Sequence, residues 1–288
     1  MLSVYQEHKQ RHFLNVSGKL LDLSTPLVMG VVNLTPDSYY RNSRHSSLID
    51  ALDKAEQMLA EGACIIDIGG CSTRPGAEEI TAEKELDRIL DTCIALRKKY
   101  PELTMSIDTF RADVVEAVFN EIGGFIVNDI SGGDFDPNMF KVIAKLNLPY
   151  VINHTSGTPE TMQNNTNYKD VVMDIVKTLQ DKHRTLTDMG VNDVIVDPGF
   201  GFGKTLAQNY TILKNLDKFL IIDAPLLVGI SRKSMIQQLL DVNADKALNG
   251  TSTAHTIALQ KGADILRVHD VKEAIQCVEM FNYLNTIE

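Results

Sequence analysis

The chain has 288 residues, a formal net charge of −10, and 44% hydrophobic against 23% charged residues. That balance fits one globular domain with a large core and excludes a low-complexity or linker-rich chain. It also excludes nucleic acid and anionic membrane as partners, because an acidic surface attracts neither polyanion and any anion must be bound locally.

The opening segment MLSVYQEHKQRHF has no continuous apolar stretch. No later run reaches the roughly 18 apolar residues of a spanning helix, so neither export nor membrane insertion is expected. Cys64, Cys71, Cys93 and Cys277 lack C-x-x-C spacing, as expected of a reducing cytoplasm. HFLNVSGKLLDL then predicts two short strands turning at Ser17-Gly18, a hairpin able to plug the end of a barrel. Residues 1–25 are accordingly expected as an N-terminal extension and 26–288 as a single domain.

Short apolar runs follow at 26–33, 64–70, 103–108, 125–129, 149–154, 193–198, 225–231 and 264–269. Helical periodicity separates most of them. LIDALDKAEQMLAEGA sets Leu48, Leu52, Ala55 and Leu59 on one face and stops at Gly62, and similar patterns fill 81–100, 111–122, 137–147, 168–190, 245–262 and 271–285. Lys233 is expected to open a further helix after SRKS. Runs this apolar are buried on both faces, so alternation with helices implies a parallel sheet, and eight units imply an α/β fold of the (β/α)8 barrel type, with an open doubly wound sheet as the alternative. Met58, Met105 and Met173 are expected as core filler, and His183 and His255 as surface or satisfied helix residues.

In such a barrel, chemistry gathers where the strands finish. Reading that edge gives Asn33, Asp67, Asp108, Asn128, His154, Asp197, Ser231, Arg267 and His269, joined by the cations Arg74, Lys233 and Lys204, the last with solvent as its other destination. His154 is open between capping and lining a site. Asp67, Asp108 and Asp197 each end an apolar stretch, and a carboxylate turned inward there is costly unless a ligand or cation meets it. One stretch, DPGFGFGKT at 197–205, mimics a phosphate loop, but Pro198 stands where the first glycine of that motif belongs. The edge therefore has an acidic, hydrogen-bonding half and a cationic half, which suits an N–H-rich heterocycle carrying a diphosphate.

MGVVNLTPDS at 29–38, IIDIGGCSTRPGA at 65–77, SIDT at 106–109, VNDISGG at 127–133, DPGFGFGKT, LLVGISRKS at 226–234 and RVHD at 267–270 occur in this order. Together they resemble the dihydropteroate synthases of folate biosynthesis, the family inhibited by sulfonamides. The resemblance implies a TIM barrel that joins 6-hydroxymethyl-7,8-dihydropterin diphosphate to p-aminobenzoate with Mg2+ as cofactor, and a homodimer. It implies that Asp108, Asn128, Asp197, Lys233 and Phe202 hold the pterin, and that Asn33, Thr73, Arg74, Arg267 and His269 hold the diphosphate, Asn33 also meeting the metal. Thr73, Pro75, Phe202 and Ser234 would line the p-aminobenzoate site, with Arg74, Lys233, Arg267 and His269 as the catalytic set. The chain departs from the family pattern at Tyr39 to Ser43, at Cys71, where an acid is usual, and at Thr155. Those departures keep two alternatives in view: a pterin-binding paralogue of low or altered synthase activity, and a pterin-dependent methyltransferase domain.

Overall fold

The computed structural model describes residues 13–34, 44–71, 80–157 and 166–287. Two strands, β1 (Phe13–Val16) and β2 (Lys19–Asp22), pair antiparallel around Ser17 and Gly18, which take φ of 54° and 88°. Positive φ at both central residues matches the twist of a tight hairpin, and glycine takes it without strain.

Eight parallel strands follow: β3 (Leu27–Asn33), β4 (Ile65–Gly69), β5 (Thr104–Asp108), β6 (Ile126–Asp129), β7 (Tyr150–Asn153), β8 (Val194–Asp197), β9 (Leu227–Val228) and β10 (Ile265–Val268). They run in the spatial order β8-β7-β6-β5-β4-β3-β10-β9, and a single parallel bridge between Val196 and Leu226 joins the two edges. The expected barrel is present. Around it lie α1 (Arg44–Ala60), α2 (Ala82–Lys99), α3 (Ala112–Ile122), α4 (Met139–Leu146), α5 (Val171–Asp188), α6 (Leu206–Lys214), α7 (Ser234–Leu240), α8 (Leu248–Gln260) and α9 (Val271–Leu284).

Alternation along each strand builds two different cores. Val28, Val32, Ile66, Ile68, Met105, Ile107, Val127 and Ile152 point out to the helices, where they pack with Ala51, Ala55 and Met58 of α1. Met29, Ile65, Ile126, Val151, Ile195, Leu227 and Ile265 point inward and form an apolar floor with Leu14, Val16 and Leu23 of the hairpin segment. The hairpin seals the lower end. Its Asn15 amide donates to Asp193 Oδ1 at 2.7 Å, and Lys19 Nζ donates to the Glu102 carbonyl at 2.5 Å, both partners lying just before strands.

The structure corrects several expectations. In α1 the fully buried stripe is Ala51, Ala55 and Met58, while Leu48, Leu52 and Leu59 are only half-buried. Small residues let this helix approach β3 closely, and the leucines fill its flanks. Met173 is exposed on α5, unlike Met58 and Met105, which are core. His255 is buried, and its Nε2 has no partner among the described residues. α6 was not anticipated, although Thr205 and Gln208 form a reciprocal capping box at its start.

Leu14 is 1% exposed inside the floor, so Leu14→Ala should cost about 2 to 5 kcal/mol in urea denaturation. A loss below about 1 kcal/mol would show that the hairpin lies against the barrel without sharing its core.

Candidate functional site

Two residues above the apolar floor, the same inward phase of the strands turns polar. Asp67 follows Ile65, Ser106 follows Thr104, Asn128 follows Ile126, Asn153 follows Val151, Asp197 follows Ile195, Gly229 follows Leu227 and Arg267 follows Ile265. One step further lie Asn33, Asp108 and His269. Period-two side-chain direction therefore delivers these groups to one end of the barrel, at its C-terminal mouth.

At the centre, Arg267 Nε donates to Asp67 Oδ2 at 2.7 Å and Nη2 to Asp108 Oδ2 at 2.6 Å. Asn128 Nδ2 donates to the same Asp67 oxygen at 3.2 Å. The two carboxylates hold the guanidinium above its ordinary pKa. Burial pushes the Asp108 carboxyl up to about 7, and Arg267 pulls against it. Asp67 Oδ1 and Ser106 Oγ are fully enclosed without hydrogen-bond partners among the described residues, so the polar layer has spare acceptor capacity.

Across the mouth, Asp197 Oδ1 accepts the Gly199 amide at 2.7 Å, while Oδ2 lies over Gly229, 3.9 Å from where a Cβ there would stand. Burial raises the Asp197 carboxyl, against the pull of Lys233. Lys233 Nζ donates to the Phe200 carbonyl at 2.5 Å and sits 4.5 Å from the centre of the Phe202 ring. Burial lowers its ammonium to about 8, with Asp197 opposing. Asn33 and Asp108 flank Gly69: a Cβ on that glycine would meet Asp108 Cβ at 3.3 Å and Asn33 Oδ1 at 3.6 Å. Glycine at 69 lets Asp108 and Asn33 pack close to the β4 backbone, and glycine at 229 keeps a side chain away from Asp197 and Arg267.

His269 stands on the rim with its amide and Nδ1 each 3.2 Å from Ser231 Oγ. Although the residue is exposed, the protein packed around its ring, followed by Arg267 and Lys54, pulls the imidazole down to about 4, with Asp270 opposing. Arg232 takes φ 53° and grips Asp270 through Nε (2.7 Å) and Nη2 (2.8 Å). That clamp joins the segment after β9 to the segment after β10 and leaves Ser231 and Lys233, on either side of it, facing the mouth. Ser234 is exposed at the start of α7.

The structure thus brings together Asn33, Asp108, Asn128, Asp197, Phe202, Lys233, Arg267 and His269. Thr73, Arg74 and Pro75 lie outside the described residues, as do Tyr39 to Ser43. Both stems of segment 72–79 are held by cations: Arg88 Nη1 donates to the Gly70 carbonyl at 2.8 Å, and Arg111 Nη2 to the Ile80 carbonyl at 2.6 Å. Arg111 also pairs with the buried Glu85. Cys71 adjoins this pair, its thiol pushed up by burial and by Glu85, so a neutral residue there avoids a second carboxylate beside the first.

Two expectations change. Asn153, not His154, turns into the barrel at the end of β7, donating to the Ile130 carbonyl at 2.6 Å. His154 faces the other way, toward Lys204, which is buried rather than in solvent. Asp67 and Asn153 complete the polar layer, and their in-phase spacing with Ile65 and Val151 is the signal that marks them.

The match to known proteins is extensive. Residues 29–269 fit the family described as "Pterin binding enzyme". The dihydropteroate synthase of Escherichia coli is 41% identical over 265 residues, covering 91% of this chain and 93% of that protein. The Yersinia pestis dihydropteroate synthase solved with a sulfonamide drug superposes with a TM-score of 0.89 at 39% identity, covering 96% of this chain and all of that one. The Xanthomonas albilineans dihydropteroate synthase solved with 4-aminobenzoic acid gives 0.89 at 32% identity, covering 97% of this chain and 100% of its own. With a charged pocket at the mouth of a plugged barrel, and with likeness of this extent in both sequence and structure, the chain belongs to the dihydropteroate synthase family of pterin-binding enzymes.

Proposed function

We propose that the protein condenses 6-hydroxymethyl-7,8-dihydropterin diphosphate with p-aminobenzoate to give 7,8-dihydropteroate and diphosphate. The observation that carries this reading is the pairing, at one barrel mouth, of an inward carboxylate set with a cationic set. Asp108, Asn128 and Asp197 share that mouth with Lys233, Arg267 and His269. A pterin ring presents several N–H groups, which the carboxylates would accept, and an oxygen and ring nitrogens that Lys233 would meet. Charged hydrogen bonds of this kind contribute about 1.5 to 3 kcal/mol each.

In the reaction the bond from the exocyclic methylene to the diphosphate oxygen breaks, and its electron pair leaves with the diphosphate. The cation left behind is delocalised into the electron-rich dihydropterin. The arylamine nitrogen forms the new C–N bond and gives its proton to solvent. No protein nucleophile is required. Arg267 and His269, with Arg74 from the second loop, would stabilise the departing anion, while Lys233 and the enclosed carboxylates hold the ring in place. Phe202, Ser234, Thr73 and Pro75 are the side chains assigned to p-aminobenzoate.

Mg2+ fits the donor set. Asn33 offers one neutral oxygen at the mouth, and this hard cation commonly takes few protein ligands, filling the rest with phosphate oxygens and water. When bound it would draw negative charge from the leaving diphosphate. A homodimer is supported by Met280, Tyr283, Leu284 and Ile287, apolar side chains exposed on and just after α9. A cytoplasmic location is supported by Cys64, Cys93 and Cys277, which form no disulfide. Among the described residues no helix is long and apolar enough to cross a membrane.

The direct test is diphosphate release with and without p-aminobenzoate and Mg2+, with the product identified by mass. Release that depends on the arylamine is expected, and absence of 7,8-dihydropteroate would overturn the reading. Asp197→Asn replaces an acceptor by a donor facing another donor. It should weaken binding of an unphosphorylated pterin by about 3 kcal/mol, roughly two orders of magnitude, in calorimetry on a folded protein.

His269 supplies a proton signature. Its ring is neutral near pH 6 in the free protein, and a bound diphosphate would raise its pKa, so binding takes up protons between about 4 and the bound-state value. The affinity gained through this group is greatest at low pH and declines as pH rises through the bound-state value. Calorimetry at pH ~6 in buffers of different ionisation enthalpy should show more proton uptake for wild type than for His269→Asn, and none of that difference for the unphosphorylated pterin.

A further inference from the structure

Lys204 ends the stretch that imitates a phosphate loop, yet it meets carbonyl oxygens instead of phosphates. It is 4% exposed. Its ammonium lies 2.8 Å from the Gly199 carbonyl oxygen, 2.9 Å from that of Phe202 and 3.1 Å from that of His154, with His154 Nδ1 at 3.2 Å. Oxygens from two loops, one after β7 and one after β8, converge on this cation. Burial, then Lys204 and Lys182, lower the His154 imidazole to about 3. The ring is therefore neutral and offers its Nδ1 lone pair to the ammonium.

The segment is also tied by its Gly201 amide to Asn209 Oδ1 at 2.8 Å and by the Tyr168 hydroxyl to its Gly203 carbonyl at 3.1 Å, but every second residue of its backbone is a glycine. Gly199, Gly201 and Gly203 all take positive φ, at 72°, 83° and 63°, and glycines keep the most freedom when nothing ties them. A Cβ on Gly199 would stand 1.9 Å from the His154 carbonyl oxygen, so the two loops touch backbone to backbone where the ammonium binds both. The same segment faces the site on its other side. The Phe200 carbonyl accepts from Lys233, and the Phe202 ring lies against that ammonium.

We propose that Lys204 is a positioning residue: its ammonium, caught between the carbonyl oxygens of His154, Gly199 and Phe202, fixes segment 199–203 and so sets Phe200 and Phe202 against Lys233 for the arylamine. The proposal rests on the synthase reading given above for its substrate, and on the carbonyl cage for its physics. Asp108, Asn128 and Asp197 are carried by strands, so the pterin side of the site feels the cage only through Lys233 and the Gly199 amide on Asp197. Losing the cation therefore weighs more heavily on the arylamine than on the pterin.

Two variants test this. Lys204→Ala leaves a hole, and Lys204→Met fills it with an uncharged chain. Each should bind an unphosphorylated pterin within about threefold of wild type, while the KM for p-aminobenzoate rises at least about tenfold at saturating pterin diphosphate. Propylammonium should lower the KM of Lys204→Ala by about threefold or more, whereas tetramethylammonium at equal ionic strength should not, and Lys204→Met should respond to neither. In hydrogen exchange without substrate, the amides of Gly201 and Phe202 should exchange about tenfold faster in both variants, with Val194–Asp197 still protected. If neither variant folds, Lys204→Arg keeps the charge, and its planar fork should give the same one-sided rise in KM, about threefold, because it cannot meet three converging oxygens. Equal weakening of pterin and p-aminobenzoate, or unchanged KM together with unchanged amide exchange, overturns the proposal. A wild-type protein that forms no product sinks the synthase reading alone, and amide exchange then still decides the role of Lys204.

Discussion

A guanidinium inside a barrel is the interaction on which the site is built. Arg267 arrives on β10 in the inward phase and meets Asp67 from β4 and Asp108 from β5, so three strands are tied by charge at the height where the apolar floor ends. None of the three could be held there alone, since an unpaired buried charge is among the most costly features a fold can carry. Together they make a polar layer that is nearly satisfied, and the incomplete part is informative. Asp67 Oδ1 and Ser106 Oγ still lack partners among the described residues, and Gly229 presents no side chain beside Asp197 Oδ2. A stability-driven core would have closed these gaps with bulk. This one keeps them for a flat, hydrogen-bonding guest.

The architecture divides the labour between rigid and adjustable parts. Asp108, Asn128 and Asp197 sit on or at the ends of hydrogen-bonded strands, whose positions are fixed by ladders and by the packing of both cores. Lys233 and His269 sit just beyond strands, and their segments are locked to each other by the Arg232 to Asp270 ion pair. Gly70 and Ile80, at the described ends of the second loop, are held by Arg88 and Arg111. Cys71, where an acid is usual, lies past the end of its strand and beside the Arg111 to Glu85 pair, so a change there need not move the strand-borne carboxylates.

Much of this was legible in the chain. Apart from 225–231, which holds only the two-residue β9, the apolar runs gave strands close to their observed ends because strands buried on both faces leave a continuous hydrophobic signal. Asn33, Asp108, Asn128, Asp197 and Arg267 could be placed at the mouth because each lies at or near the end of such a run. What escaped was phase. His154 and Asn153 are adjacent, and only the inward packing of Val151 shows which one turns into the barrel. Lys204 stayed open between the site edge and solvent because its partners are mostly main-chain oxygens, which leave no trace in side-chain identity. α6 was hidden behind a glycine-rich segment, although Thr205 and Gln208 announce its cap. The α1 stripe moved from leucines to alanines because close approach to the sheet rewards small residues, and hydrophobicity alone does not report distance.

The hairpin at the lower end has a consequence for traffic. With Leu14, Val16 and Leu23 it thickens the floor that the inward strand residues already fill, and the barrel is left as a well with one mouth. Whatever rests on the layer of Asp67 and Arg267 must come in first and go out last, and a second molecule lying nearer the rim stands in its path. A queue is thereby imposed by residues that lie at the far end of the barrel from the chemistry, and the order of arrivals is written into a stopper rather than into the catalytic groups.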